Sequence, residues 1–387
     1  MKRFNYFQPT EIRYGGGRVD EVGAAAAGYG KRCLLVTVPE FDAFRPLYAR
    51  VKKNLKEAGL KVAHFDGVVP NPTTESITLG AKMAKEHKAD VVIGLGGGSS
   101  MDSAKAIAVE ATHEGTCWDY LFYKTQPTKK TLPVIAVTTT SGTGSQVTQV
   151  AVVTHTERRD KSAIYNSIIY PRVAIVDPEL MLTVPKYSTA CTGFDVFCHS
   201  FESYIHPASS PYIDLMAIES IRLIAKYLPI AVKDGSNREA RAAMAWADTL
   251  GGLCIANAGV TLPHGVGMAI SGMYPHVAHG ESLALIYPAF TRYTYPSAIK
   301  QFATMGRILD PKLESESDEA AAKKSCEAVD RFLKEIGLWA GFEEKGMPED
   351  ELPDLAKQSM VLPDYKNNPR VATDEEMLQL LEQCFRR

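Results

Sequence analysis

The sequence predicts an α/β domain with a parallel sheet over residues 1–185 and an all-helical domain over residues 186–387. Three observations carry this reading. Short β-rich apolar runs alternate with helix-length stretches as far as Val176, the signature of a parallel sheet covered by helices. Strand-like runs nearly vanish after Tyr187. A glycine-rich stretch beginning at Gly94 joins an apolar run to a helical one, as the turns of such sheets do.

The elements follow in order. An alanine-rich helix ends near Gly28 and Gly30, and Cys33–Val38 is the buried strand after it. Arg45–Ala58 reads as a helix and Leu60–Phe65 as a strand. Pro70-Asn-Pro72 leads into a helix over Thr73–His87. Asp90–Leu95 is a strand, Ser100–Ala111 a helix, and Pro133–Thr138 and Val173–Val176 are further strands. Val150–His155 and Lys161–Tyr165 suit a hairpin with Glu157-Arg-Arg-Asp160 at its tip. Beyond Pro185, helical patterns cover Ile213–Tyr227, Asn237–Asn257, Ser317–Ile336 and Pro353–Met360. The last helix, Asp374–Arg387, opens with Thr373-Asp-Glu-Glu376, which fits a capping box.

Composition removes several function classes. Lys and Arg number 43 against 45 Asp and Glu, so the net charge of −2 gives no reason to expect nucleic acid or an anionic membrane as partner. No apolar run approaches the roughly 20 residues that span a bilayer. The opening Met-Lys-Arg-Phe-Asn-Tyr-Phe lacks a signal-peptide core, and seven scattered cysteines without a CxxC read as reduced thiols of a cytoplasmic protein.

Two segments suit a nucleotide. Gly94-Leu-Gly-Gly-Gly-Ser-Ser-Met-Asp-Ser-Ala-Lys105 follows a strand and opens a helix, where free N–H groups and the positive dipole end favour a phosphate. It departs from GxGxxG because Ser99 stands where the last glycine would be. Thr138-Thr-Thr-Ser-Gly-Thr-Gly-Ser145 is a second polar turn after the next strand. Lys161 suits a counter-charge to the phosphates or a solvated hairpin lysine.

The helical half carries a different chemistry. Asp195 and His199 are four apart and share one helix face. With His264 and His279, each followed by glycine, they form a carboxylate–imidazole set suited to a first-row divalent ion such as iron or zinc. HG pairs are also turn signals, and His276 competes with His279 by position.

In their joint order these motifs resemble the iron-dependent, group III alcohol dehydrogenases over the full chain. The parts are Tyr14-Gly-Gly-Gly17, Pro70-Asn-Pro72, Gly96–Lys105, Thr138–Ser145, Lys161, Val176-Asp-Pro178, Gly193–Glu202, Pro263-His-Gly265, His279-Gly280 and Asn368-Pro-Arg370. The resemblance implies a Rossmann-like N-terminal domain and an all-α C-terminal domain, the fold shared with dehydroquinate synthase. It implies Asp195, His199, His264 and His279 as ligands of iron(II), sometimes zinc. It implies Asn71, Gly97, Gly98, Ser99, Asp102, Thr138, Thr139 and Lys161 around NAD or NADP, and a homodimer or larger homo-oligomer.

The expected activity is hydride transfer between NAD(P)(H) and a small alcohol–aldehyde pair. Alternatives on the same fold are a glycerol-dehydrogenase- or dehydroquinate-synthase-like enzyme, or a non-catalytic scaffold. No basic cluster surrounds residues 193–204 or 259–281 to hold a phosphorylated, carboxylated substrate, and no ligand position is lost. Two departures from the family stand out. Many members carry a histidine where this chain has Met268, and NAD-preferring members often carry an aspartate where it has Val38. The proton route and the choice of NAD or NADP therefore stay open, with water or His276 as proton acceptors.

Overall fold

The computed structural model describes residues 3–121 and 125–387, in two compact units. The first, Gln8–Val184, holds a six-stranded sheet. Its strands are β1 (Glu11–Tyr14), β2 (Arg32–Val36), β3 (Lys61–Phe65), β4 (Val91–Gly96), β5 (Val134–Thr138) and β8 (Val173–Val176). The order is β1-β8-β5-β4-β2-β3 and every pairing is parallel. A separate antiparallel hairpin joins β6 (Val150–His155) to β7 (Asp160–Tyr165), with Arg159 in the left-handed region at its tip.

Period-two alternation explains why these strands read as continuous apolar runs. Leu34 and Val36 enter one core, with Ile77 and Ala84 of α3 (Thr74–His87) and Ala104 and Ile107 of α4 (Gly98–Glu110). Cys33 and Leu35 enter the other, with Val22 and Ala26 of α1 (Val22–Ala27) and Val51 and Leu55 of α2 (Arg45–Glu57). Both faces of the sheet are therefore covered. From β2 the order runs to β3 on one side and to β4 on the other, so the ends of β2 and β4 flank a topological switch point. The chain leaves the sheet at Val36, two residues before the predicted strand end at Val38.

The second unit runs from Pro185 to Arg387. Its helices are α5 (Lys186–Ile205), α6 (Pro211–Lys233), α7 (Arg238–Asn257), α8 (Leu262–Met273), α9 (His279–Thr294), α10 (Ile299–Leu309), α11 (Asp318–Glu335), α12 (Leu352–Ser359) and α13 (Asp374–Glu382). Side-chain caps start several of them: Ser210 accepts from Ile213 N–H, Asn237 from Ala240, and Ser317 from Ala320. The capping box at Thr373 and Glu376 forms as predicted, although α13 stops at Glu382 rather than Arg387. Arg387 instead reaches α9, donating to the carbonyls of Ala284 and Leu285. Ala284 is the residue whose helical partner, Pro288, has no N–H.

Residues 3–7, expected in the α/β domain, belong to this helical unit. Phe7 N–H donates to Asn257 Oδ1 at 2.8 Å, and the Tyr6 and Tyr212 rings stand 4.5 Å apart, edge to face. Among the described residues no single helix is long and apolar enough to cross a membrane.

Candidate metal centre

Helix α5 is buried on nearly all sides from Thr189 to Ile205. Asp195, His199 and Glu202 lie on one of its faces, at i, i+4 and i+7. Helix α8 brings His264, and His279 is the first residue of α9. Two glycines allow the approach. A Cβ on Gly193 would lie 2.3 Å from Leu228 of α6, and one on Gly280 would lie 1.9 Å from the Cys191 carbonyl oxygen. His264-Gly265 and His279-Gly280 thus sit inside helices rather than turns. At Gly280 the lost side chain serves close packing.

The Nε2 atoms of three histidines face one carboxylate oxygen. Asp195 Oδ1 lies 3.4 Å from His199, 3.5 Å from His264 and 4.0 Å from His279. The donor atoms of Asp195, His199 and His264 all fall within 4.8 Å of one another, and His279 stands just outside that tighter cluster. Its side chain is 23% exposed, against 4–8% for the other three. Such separations are longer than good hydrogen bonds. They match ligands that each stand about 2.1 Å from one shared ion, which puts them roughly 3–4 Å from each other.

Glu202 decides the state of His264. It is fully buried, and its Oε1 lies 2.8 Å from His264 Nδ1. A carboxylate accepts, so Nδ1 carries a proton and Nε2 is the nitrogen that faces Asp195 and could ligate an ion once unprotonated. Thr261 completes Glu202 through its N–H at 2.8 Å and its hydroxyl at 3.3 Å. Two polar atoms, Asp195 Oδ1 and His264 Nε2, are buried without a hydrogen-bond partner. An unmet buried polar atom costs about 1–3 kcal/mol, so the pocket favours a positive charge between them.

The electrostatics point the same way. Burial raises the Asp195 pKa, but His199, His264 and His279 outweigh it and hold the carboxyl below its usual range. Burial lowers His264, but Glu202 and Asp195 outweigh it and push the imidazole up to about 10. Both shifts mark a pocket that favours positive charge: a proton on His264 supplies it when no ion is bound, and a bound cation would displace that proton. Glu202 is the residue that sequence reasoning quoted without assigning a role, although its place seven after Asp195 marks it as facing the same way.

The predicted nucleotide residues lie in the α/β unit. Gly97 caps α4, and Gly96 takes φ 150° before it. A Cβ on Gly97 would lie 3.1 Å from Thr140 Oγ1, and one on Gly98 would lie 2.5 Å from Thr143 Cγ2, so the two polar turns nest together. Thr139 N–H donates to the Gly96 carbonyl at 2.9 Å, and Thr138 Oγ1 to the Thr140 carbonyl at 2.8 Å. Ser99 follows in the first turn of α4, where helical N–H groups point outward. Lys161 Nζ donates to Asn71 Oδ1 at 3.0 Å, and Asn71 holds a left-handed φ of 53°.

Asp102 is turned inward. Its carboxylate accepts from Ser145 Oγ at 2.6 Å and from Val152 N–H at 3.0 Å. Lys105, given no role from the sequence, is fully buried and donates to Ser145, Thr148 and Val150 carbonyls at 2.7, 3.0 and 2.7 Å. Together Asp102 and Lys105 pin the second polar turn to α4.

Fold and site define a class: an α/β unit with a glycine-rich strand-to-helix turn at its switch point, and a helical unit with a carboxylate–imidazole cation pocket. Comparison with known proteins narrows the class. The iron-containing alcohol dehydrogenase family matches residues 9–178, and the C-terminal region of the Fe-containing alcohol dehydrogenase family matches residues 189–385. The chain is 35% identical to an NAD-dependent methanol dehydrogenase of Bacillus methanolicus, over 98% of this chain and 100% of that one. It is 34% identical to a 1,3-propanediol dehydrogenase of Klebsiella pneumoniae, over 98% and 97%. The crystal structure of an archaeal halo-thermophilic Red Sea brine pool alcohol dehydrogenase superposes with a TM-score of 0.94 at 32% identity, covering all of both chains. The chain belongs to the iron-containing alcohol dehydrogenase family and is an oxidoreductase of that type.

Proposed function

We propose that this enzyme interconverts a small alcohol and its aldehyde with NAD, using a divalent metal held by Asp195, His199, His264 and His279. The observation that carries the reading is the convergence of three imidazole nitrogens on one buried carboxylate oxygen, with His264 presented as a lone-pair donor by Glu202. In this reading the helical unit is the metal domain and the α/β unit the nucleotide domain, with Asn71, Gly97, Gly98, Ser99, Thr138, Thr139 and Lys161 along the cofactor. Asp102 acts behind them, through Ser145.

When bound, the metal supplies a Lewis acid for the substrate oxygen and NAD takes up the hydride. The chain's own task is to hold and shield. Glu202 keeps His264 in one tautomer, and apolar helix faces limit water around Asp195. The hydroxyl proton leaves separately from the hydride. Met268 occupies the helical position four after His264, and a thioether cannot relay a proton. His276 is committed through Nε2 to the Lys345 carbonyl at 2.9 Å. Water is therefore the proton acceptor in this reading.

Cofactor choice follows the charge beyond β2. The Val38 carbonyl accepts from Thr37 Oγ1 and Tyr48 OH. The nearby cation, Arg45, is engaged by Glu40 at 3.2 Å and Asp42 at 2.9 Å. These exposed pairs are individually weak. As a group they carry one positive charge against two negative, which disfavours a 2′-phosphate and supports NAD. The seven cysteines are all unpaired and buried, which supports a reducing, cytoplasmic setting. The relatives act on different alcohols, so iron-reconstituted and zinc-reconstituted protein should be assayed with methanol, 1,3-propanediol, butanol and the matching aldehydes, with NAD and NADP. Fully metallated protein that turns over none of them would overturn the proposal.

A further inference from the structure

We propose that Glu281 is a positioning residue for His279, and that with Tyr187 and Lys345 it sets the spacing of the two helices that carry Asp195, His199 and His279. The inference rests on the metal reading above.

Glu281 lies in the first turn of α9, two residues after His279, and is 5% exposed. A carboxylate at that burial needs partners for both oxygens. Oε2 accepts from the Tyr187 hydroxyl at 2.7 Å, and Oε1 meets Lys345 Nζ at 2.7 Å. Tyr187 stands in the first turn of α5, the helix of Asp195 and His199. The Tyr187–Glu281 bond therefore ties the start of one ligand-bearing helix to the start of the other. Between them, the Gly280 backbone presses on the Cys191 carbonyl with no room for a side chain.

Lys345 acts twice. Its ammonium holds Glu281, and its carbonyl accepts from His276 Nε2 at 2.9 Å. Residues 276–281 are thus gripped at both ends by one residue, and His279 lies inside the grip. The need for it is visible in the pocket. His264 has Glu202 bonded directly to its ring. His279 is the most exposed of the four and stands farthest from Asp195, so the placement of its helix decides whether it reaches the ion. His276, rival to His279 by sequence, becomes part of the clamp.

The test uses full-length protein and measures Co²⁺ affinity by chelator competition, with the thermal midpoint of the metal-free form recorded beside it. The variants are Glu281→Ala, Glu281→Gln and Lys345→Met. Groups bonded directly to a ligand are worth roughly 10–100-fold in metal affinity; Glu281 and Lys345 act one step removed, so Glu281→Ala and Lys345→Met should bind Co²⁺ weaker by about tenfold, the low end of that range. Glu281→Gln can still accept from Lys345 and meet the Tyr187 hydroxyl, so it should restore most of the affinity. Wild-type Co²⁺ affinity in Glu281→Ala, with only a lowered midpoint, would show a merely structural role and overturn the proposal. Should Glu281→Ala not fold, Lys345→Met decides by the same criterion. His264→Ala is the control: if wild type binds Co²⁺ no tighter than this variant, the metal reading itself fails.

Discussion

Each unit of this protein buries charge, and the two do it in opposite ways. In the α/β unit the Lys105 ammonium is fully enclosed, and oxygens of Ser145, Thr148 and Val150 meet it at 2.7–3.3 Å. In the helical unit Asp195 Oδ1 and His264 Nε2 face each other at 3.5 Å, too far for a good hydrogen bond, and neither has another hydrogen-bond partner. A buried charge whose partners are complete holds a fold together. In the proposed reading, the incomplete partners of Asp195 and His264 leave room for a cation.

That contrast can be broken by substitution, and the largest effect belongs to the incomplete site. His199→Ala or His264→Ala should abolish tight metal binding. Activity should fall by roughly 10³-fold or more, since Lewis-acid assistance is worth several kcal/mol. The metal-free variants should keep the wild-type circular dichroism spectrum. Full metal occupancy in either one, by elemental analysis, would remove that residue from the site.

Lys105→Ala should show the reverse pattern. Removing one member of a buried, hydrogen-bonded set costs about 3–5 kcal/mol, so urea unfolding should shift strongly, and NAD affinity should weaken as the 145–150 segment loosens. A variant as stable as wild type would mean that its partner oxygens find other donors.

Gly280→Ala sharpens the same comparison from the packing side. Its Cβ would meet the Cys191 carbonyl at 1.9 Å, so α9 must shift. Overpacking of this kind costs about 1–3 kcal/mol. Metal affinity should fall with stability, whereas Gly337→Ala, at φ 77° with open space around it, should lower stability alone.

Exposed charge should matter less. Replacing Glu40 and Asp42 by Gln and Asn frees Arg45 and should move the NADP-to-NAD ratio of kcat/KM upward about tenfold, roughly 1.4 kcal/mol. An unchanged ratio would place the choice elsewhere.

The smallest effect is expected at Asp20. Its hydrogen bonds to Arg50 and Asn54 hold the carboxyl down to about 2. A depressed carboxyl stabilises the fold above its unfolded pKa of about 3.9, and that contribution is lost as pH falls toward 2. Asp20 is more than half exposed, so the gain is under about 1 kcal/mol. Wild type and Asp20→Asn should differ slightly in thermal midpoint at neutral pH and converge in acid.

Much of the fold was legible in the sequence for plain reasons. Cys33, Leu34, Leu35 and Val36 point alternately into two cores, which is why a short unbroken apolar run suits a strand covered on both faces. The hairpin strand Val150–His155 came out with the bounds read from its pattern. Strand β1 did not, because Glu11–Tyr14 is an edge strand with only partial burial and carries little apolar signal. Helices α8 and α9 were also hidden. The His-Gly pairs at 264–265 and 279–280 suited turns, yet neighbouring helices accept the glycines, and in α9 Arg387 covers a carbonyl that Pro288 leaves open.

The same division runs through the candidate metal centre. Helical periodicity alone determined that Asp195, His199 and Glu202 share a face, because their spacing is set within one element whatever surrounds it. Periodicity could not choose between His276 and His279, three residues apart. The tertiary structure sets the two apart. Gly280 closes α9 onto Cys191, and Lys345 draws the His276 ring to its own carbonyl, while His279 comes within 4.0 Å of Asp195. It also turned Asp102 inward, onto Ser145 and Val152. Contacts between residues tens of positions apart depend on how whole helices pack, and no local pattern in the chain encodes that.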